Sequence, residues 1–225
     1  MQKFAAAKKM TKHLKSFSIA LAIFALLFPH FSGVPILALM LLPWVAIALM
    51  AWAPGRYQIM ERHDDIRPDL ALLFIVSSLV LRLLAGGGGI MLLQMTDALV
   101  FATISAIALT GLIFYLGRFA RRRYWVLFFF LLLNGGYGYS TFVLANTKLD
   151  HSVPQMYQTM VTKKTDLHDK TYKLMLAPWG EQTQMQSVWV SRAVYDGVAT
   201  GGNACILFHP GALRMPWYQV VPCIN

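Results

Sequence analysis

Long apolar stretches follow one another from residue 17 to residue 145, and a different pattern replaces them after residue 146. A helix needs about 20 apolar residues to cross the hydrocarbon core of a bilayer, because each residue adds about 1.5 Å to its length. Five stretches reach or approach that length. We therefore predict transmembrane helices over residues 14–31, 34–53, 69–85, 97–117 and 124–145.

Beyond residue 146, apolar and polar residues alternate with a period of two, which is typical of half-buried strands. In segment 171–176, for example, Tyr172, Leu174 and Leu176 fall on one face. Other strands are predicted around 156–163, 188–190, 205–208 and 217–221, with a polar turn over 164–170. The pattern predicts a helical membrane domain over residues 1–145 and a small, mainly antiparallel β-domain over 146–225, such as a small barrel.

Composition and charge placement agree with a membrane protein. Only 13% of the residues are charged, where a soluble domain has about 25%. Up to residue 145 there are 13 Lys and Arg against 5 Asp and Glu, and after it 7 against 5. The excess of positive charge lies in short connections between apolar stretches, not on a soluble module with base-reading residues. We therefore expect the lipid bilayer, and no nucleic acid, as a partner.

The positive charges also predict the orientation, because Lys and Arg are retained on the cytoplasmic side during insertion. Connections 30–33 and 86–96 contain neither residue. The basic residues precede the first span, lie at its start, or lie between the second and third or the fourth and fifth spans: Lys3, Lys8, Lys9, Lys12, Lys15, Arg56, Arg62, Arg67, Arg118, Arg121, Arg122 and Arg123. This predicts a bacterial inner-membrane protein with a cytoplasmic N-terminus and a periplasmic C-terminal domain.

The first apolar stretch has a second interpretation, because a basic start and a short apolar core also describe a secretory signal peptide. No A-x-A cleavage motif follows it. If cleavage occurred, four spans would remain with the same orientation.

The two cysteines, Cys205 and Cys223, both lie in the predicted external domain. The bacterial periplasm is oxidising, which favours a disulfide between them. Closing a loop of this length contributes about 3 kcal/mol in the chain-entropy model. Two buried free thiols are the alternative. No metal site is expected, since His209 alone supplies no ligand spacing.

Residues 190–223, VSRAVYDGVATGGNACILFHPGALRMPWYQVVPC, contain a strand, a turn with Tyr, two cysteine-bearing strands and a Gly-x-Leu turn. This run resembles the terminal module of uncharacterised bacterial multi-pass inner-membrane proteins. The resemblance implies an extracytoplasmic β-domain with paired cysteines, and it implies no activity.

Arg82 and Asp97 are the candidate intramembrane polar pair. A charge within a membrane is costly and by default indicates function. The pair would line a polar path across the segment that begins with the four glycines at 86–89, as in a transporter or channel component. Structurally, Arg82 is instead expected to extend to the headgroups, and Asp97 to cap the fourth helix.

We predict no catalytic residue, metal or cofactor. A membrane-bound enzyme would require one of the histidines after the fifth span, His151 or His168, but no motif fixes either beside the nearby carboxylates Asp150, Asp166 and Asp169. The leading hypothesis is a non-enzymatic protein whose β-domain binds or scaffolds a membrane or periplasmic protein, such as an accessory subunit of an envelope or secretion assembly. Its sheet edges and its exposed aromatic residues are the natural contact surfaces. The candidate aromatic residues, which more often fill the core of a small domain, are Trp179, Trp189, Trp217 and Tyr218.

Overall fold

The computed structural model of the protein describes residues 2–28, 33–59, 67–87, 89–117, 124–166 and 171–223. The chain divides into two compact units. The helical unit comprises residues 1–85 and 96–144, and the β-unit comprises residues 86–95 and 145–225. Segment 86–95, which we predicted as a connection within the membrane domain, therefore belongs to the same unit as the C-terminal domain.

The helices follow the apolar stretches closely. They are α1 (Gln2–Leu27), α2 (Gly33–Trp52), α3 (Ala71–Gly87), α4 (Met95–Gly117) and α5 (Tyr124–Lys148). Helix α1 begins at Gln2 rather than at residue 14, so the basic N-terminal stretch is helical as well. The end of the first predicted span, residues 29–31, lies outside the described residues.

In the described part of the chain, four helices are long and apolar enough to cross a membrane: α1 from Ala5 onward, α2, α4 and α5. They indicate that the protein associates with a membrane. The predicted count of five spans is not confirmed, because α3 has only 17 residues and is a shorter apolar helix.

Large apolar side chains cover the outer surface of these helices, for example Leu37, Ile107 and Leu132, which are 57%, 64% and 62% exposed. Such a surface suits lipid rather than water. Polar groups are found inside instead. The Nδ2 of Asn134 on α5 donates a hydrogen bond of 3.0 Å to the Oγ1 of Thr110 on α4, and both side chains are buried. In a membrane such bonds hold helices together.

The β-unit contains one sheet of six strands: β1 (Met91–Leu92), β2 (Gln155–Asp166), β3 (Tyr172–Leu176), β4 (Gln186–Val190), β5 (Asn203–His209) and β6 (Trp217–Pro222). A short helix, α6 (Arg192–Gly197), joins β4 to β5. The strand order is β1-β6-β5-β2-β3-β4, and every neighbouring pair is antiparallel. The sheet is thus an open half-barrel with β1 and β4 at its edges.

The alternation in sequence decides which side chains fill this half-barrel. Leu174 and Leu176 are fully buried in the core and Tyr172 is partly buried, as the pattern of segment 171–176 predicted. The sheet curves enough for the Tyr218 hydroxyl of β6 to donate a hydrogen bond of 2.8 Å to the Oε1 of Gln186 on β4. Burial raises the pKa of Tyr218 to about 12, so this hydroxyl keeps its proton.

Several residues singled out from the sequence lie outside the described residues. They are Arg62, Arg118, Arg121, Arg122, Arg123, His168 and Asp169.

Candidate binding site between the edge strands

A cavity of about 410 Å³ lies within the β-unit, beside β6, β4 and the start of α6. No charged residue is found among the described residues that line it, and three of these are glycines without side chains. They are Gly86, Gly87, Gly89, Met91, Trp189, Val190, Ser191, Val194, Gln219, Val220 and Val221.

Strand β6 forms one wall of the cavity with an edge that is only partly paired. The backbone N–H of Leu93 donates a hydrogen bond of 2.9 Å to the carbonyl of Pro216, so that carbonyl faces β1. In an antiparallel strand, the backbone N–H and C=O groups of alternate residues point to the same neighbouring strand. The backbone groups of Tyr218 and Val220 therefore point to the β1 side as well. The pairing with β1 ends at Tyr218. The N–H and C=O of Val220 therefore lie on the outer side of β6, beyond the last residue that β1 pairs with.

Strand β4 forms the opposite wall with its outer edge. The N–H of Ala177, which continues β3, donates a hydrogen bond of 2.9 Å to the carbonyl of Met160 on β2. The backbone of the even-numbered residues of β3 therefore faces β4, and these residues pair with the even-numbered residues of β4. The backbone N–H and C=O groups of Ser187 and Trp189 consequently point away from β3, at the outer edge of the sheet. Trp189 also lines the cavity.

The two walls run in the same direction. Because each neighbouring pair from β6 through β5, β2 and β3 to β4 is antiparallel, β4 and β6 are parallel to each other. Strand β1 is antiparallel to β6. Its register, in which Met91 pairs with Tyr218, would place residue 89 opposite Val220 if the strand continued. Gly89 instead has a φ of +62°, which is not an extended conformation, so β1 does not continue along β6.

Trp189, the aromatic residue that lines the cavity, is contacted by a side chain of the neighbouring strand β3. Trp189 pairs across the sheet with Lys173, whose Nζ lies 4.8 Å from the centre of the indole ring. This cation–π contact covers one part of a ring that is otherwise half exposed, since 50% of Trp189 is accessible. A tryptophan that stays accessible in a small domain is available for contact with a ligand or partner.

Helix α6 closes another side of the cavity and is held at both of its ends. The Ser191 hydroxyl caps its start by accepting a hydrogen bond of 3.4 Å from the N–H of Val194. At its end, Lys164 of β2 donates hydrogen bonds of 2.5 and 2.6 Å to the carbonyls of Tyr195 and Val198. A cation at the C-terminal end of a helix satisfies carbonyls that have no partner within the helix.

Asp150 positions the loop that leads into β6. Its Oδ2 accepts hydrogen bonds of 2.9 Å from the N–H of Gly211 and from the Nε1–H of Trp217, and its Oδ1 accepts one of 2.9 Å from the N–H of Ser152. Burial alone would raise its pKa, but these donors outweigh burial and lower the pKa of Asp150 to about 2. This carboxylate thus serves as a structural acceptor.

Asn146 holds the same loop from the end of α5. Its Nδ2 donates a hydrogen bond of 2.8 Å to the carbonyl of Met215, and its Oδ1 accepts one of 2.9 Å from the N–H of Leu213. The loop therefore enters β6 in a fixed position, which determines where the edge beside the cavity lies.

The predicted disulfide is present in the structure. Cys205 on β5 and Cys223, directly after β6, are bonded, with 5.0 Å between their Cα atoms. The bond ties the end of β6 to its inner neighbour β5.

The two candidate charges of the membrane part are not brought into contact. Arg82 and Asp97 are both exposed, and the described residues contain no ion pair between them. The guanidinium carbon of Arg82 lies 5.0 Å from the centre of the Tyr139 ring on α5. Asp97 lies in the first turn of α4, where a carboxylate is favourable.

No protein-family model matches the chain, and no curated protein or solved structure is significantly similar to it. The resemblance of residues 190–223 to inner-membrane proteins stays a prediction. The geometry of the β-unit therefore supplies the basis for a functional proposal.

Sequence reasoning anticipated part of this site. Of the four aromatic residues considered as contact residues, Trp189 is exposed, whereas Trp179, Trp217 and Tyr218 are buried in the β-unit. The glycines at 86–89 were treated as an external connection. The apolar run Ile90–Met91–Leu92–Leu93 was the available signal for β1, although a two-residue strand is too short to show a period of two.

Proposed function

We propose that this protein is a non-enzymatic integral protein of the bacterial inner membrane whose β-unit binds a partner protein in the periplasm. In this proposal α1 to α5 all cross the bilayer and the N-terminus is cytoplasmic. Helix α3, with 17 residues, lies at the lower end of the range of about 17–25 that can span the hydrocarbon core. Five crossings carry the chain after α5 to the periplasmic side.

An ion pair in the helical unit supports this orientation. The Nζ of Lys15 lies 2.5 Å from the Oδ2 of Asp69, which lies two residues before the start of α3. The basic half of α1 and the connection before α3 are therefore close together. The positive-charge rule assigns both of these segments to the cytoplasm.

The observation that carries the binding function is a cavity between two strand edges with outward-facing backbone groups, whose described lining residues are all uncharged. Natural sheets normally protect their edges with charged residues, bulges or a covering segment, because a bare edge pairs with another chain. Here Val220 and Trp189 present such groups to a cavity large enough for several side chains. A protein partner that occupies this cavity would satisfy them.

The orientation is tested by substituting single exposed residues with cysteine and labelling intact cells with a membrane-impermeant maleimide. We expect Glu181→Cys, in the β-unit, to be labelled in intact cells. Lys8→Cys and Arg56→Cys should be labelled only after the inner membrane is permeabilised. Labelling of all three under the same condition would refute the proposed topology.

The binding function is tested by replacing Trp189 with the photoreactive residue p-benzoylphenylalanine and irradiating intact cells. We expect a discrete adduct of reproducible mass whose yield falls when the partner is depleted. The same replacement at Glu181, which does not line the cavity, is the matched control and should give no such adduct. Absence of an adduct at position 189, or equal yield at both positions, would refute the proposed function.

A further inference from the structure

The two strand edges beside the cavity carry no charged side chain. Strand β4 reads QSVWV and strand β6 reads WYQVVP. Charged residues, above all Lys, are a common means by which proteins prevent pairing at an edge. Pro222 has no N–H and therefore ends the usable part of β6.

The geometry points to strand addition: we propose that the cavity binds an extended, uncharged segment of the partner protein, which pairs with β6 and completes the half-barrel. This inference rests on the proposed binding function and specifies its chemistry. In recognition of this kind, main-chain hydrogen bonds supply much of the affinity, and pockets for alternate side chains supply the specificity.

The backbone groups define the hydrogen bonds that the segment makes. Val220 presents one N–H and one C=O beyond the end of β1, and Trp189 presents the same two groups on β4. A bound strand uses alternate residues for its two neighbours. Every second residue of the segment therefore forms backbone hydrogen bonds with β6, and the backbone groups of the residues between them face β4.

The strand directions define the orientation of the segment. Because β4 and β6 are parallel to each other, a segment between them is antiparallel to both or parallel to both. Strand β1 already occupies one end of this position and is antiparallel to β6. The added segment continues the line of β1 in the same direction, and antiparallel pairing is also the more stable of the two.

The lining defines the composition of the segment. A charged side chain would lose its hydration in a cavity whose described residues offer no opposite charge. Gly86, Gly87 and Gly89 leave room close to their backbone, whereas Trp189, Val194 and Met91 supply apolar contacts. The fitting sequence alternates small apolar residues with uncharged polar ones, and it has no Lys, Arg, Asp or Glu.

The test uses the full-length protein in nanodiscs with p-benzoylphenylalanine at position 189, and synthetic seven-residue peptides as probes. The parent peptide alternates Thr and Val. One variant carries Lys and Glu in place of two Thr, and another is N-methylated at every second residue, which removes the donors on one edge only. We expect the parent to label position 189, and both variants to label it at least about tenfold less.

A pair of protein variants tests the same bonds from the other side. Val220→Pro removes the outward N–H and leaves the bonds to β5 in place, because the backbone of Val220 does not face β5. Val220→Ala keeps the N–H and shortens the side chain. We expect labelling by the parent peptide to be lost in Val220→Pro and retained in Val220→Ala, provided that both variants form the disulfide between Cys205 and Cys223.

Two results would overturn strand addition. They are equal labelling by the N-methylated and parent peptides, and no labelling by the parent peptide at millimolar concentration. The peptide comparison on the unchanged β6 remains decisive if Val220→Pro does not fold. A partner adduct in cells that survives Val220→Pro would refute strand addition and leave the proposed function intact, whereas absence of any adduct would refute the proposed function itself.

Discussion

The ammonium group of Lys15 on α1 lies 2.5 Å from the carboxylate of Asp69, and both side chains are partly buried, at 29% and 17% exposure. An ion pair in such a position is screened by salt less than a fully exposed one. The contact fixes α1 beside the connection that leads into α3. The energetic importance of this pair can be measured directly.

Reversing one charge of this pair should destabilise the helical unit. We expect Lys15→Glu to lower the free energy of unfolding by about 2 kcal/mol, because it places two carboxylates together and removes a charged hydrogen bond. Combining it with Asp69→Lys restores the opposite charges and should recover most of the loss. Thermal unfolding in detergent measures both effects. A double variant no more stable than the single one would show that the pair is not coupled.

Close packing between α4 and α5 predicts different effects at two glycines. A Cβ on Gly138 would overlap the Cβ of Ser105, whereas a Cβ on Gly111 would meet no atom within 4 Å. We expect Gly138→Ala to lower the free energy of unfolding by about 1–3 kcal/mol. Gly111→Ala, its matched control, should be neutral or stabilising by up to about 1 kcal/mol. Equal thermal shifts for the two variants would contradict the observed packing.

The disulfide should contribute to the stability of the β-unit. We expect replacement of both Cys205 and Cys223 by Ser to lower the free energy of unfolding by about 3 kcal/mol, because the unfolded chain gains freedom. Tryptophan fluorescence during denaturation gives the measurement. Reduction with dithiothreitol should destabilise the wild type by a similar amount and leave the double variant unchanged. A reductant effect on the double variant would point to another cause.

Asp150 should make stability depend on acid pH. Its folded pKa is about 2, below the ordinary value of 3.8 that it regains on unfolding. The contribution is therefore complete above about pH 4 and is lost as the pH falls toward 2. We expect Asp150→Asn to remove this part of the pH dependence of the melting temperature. The same slope between pH 4 and pH 2 in both proteins would contradict the role assigned to the carboxylate.

Extending β1 should close the proposed site from within. Gly89 has a φ of +62°, which a β-branched residue rarely adopts. We expect Gly89→Val to favour extended backbone opposite Val220, so that the chain pairs with its own edge. Labelling of position 189 by the uncharged peptide should then fall severalfold. Gly55→Val, at another glycine with positive φ in a different part of the chain, is the control and should leave labelling unchanged.

The regular elements were predictable because their patterns are local. The apolar stretches predicted helices close to α2, α4 and α5, and the alternation at Tyr172, Leu174 and Leu176 predicted a strand with the correct buried face. The cysteine pair followed from the predicted compartment, and the structure contains that disulfide.

The site could not be predicted in the same way, because it depends on contacts between residues distant in the chain. The pairing of Met91 with Tyr218 has no local signal, and the open edges at Val220 and Trp189 follow only from the strand order. Arg82 was a candidate because a charged side chain is costly within a membrane. The sequence does not show that its exposed guanidinium group lies over the ring of Tyr139.

Strand β1 lies between α3 and α4 in the chain, yet its partner β6 is made long afterwards. In the proposed topology, the sheet gains this edge strand only when both flanking helices have been inserted in the correct direction. A molecule with these helices misplaced would leave β6 without an edge neighbour and open to proteases. In that topology, completion of the sheet depends on correct insertion of α3 and α4, so the folded β-unit would report on the state of the helical unit.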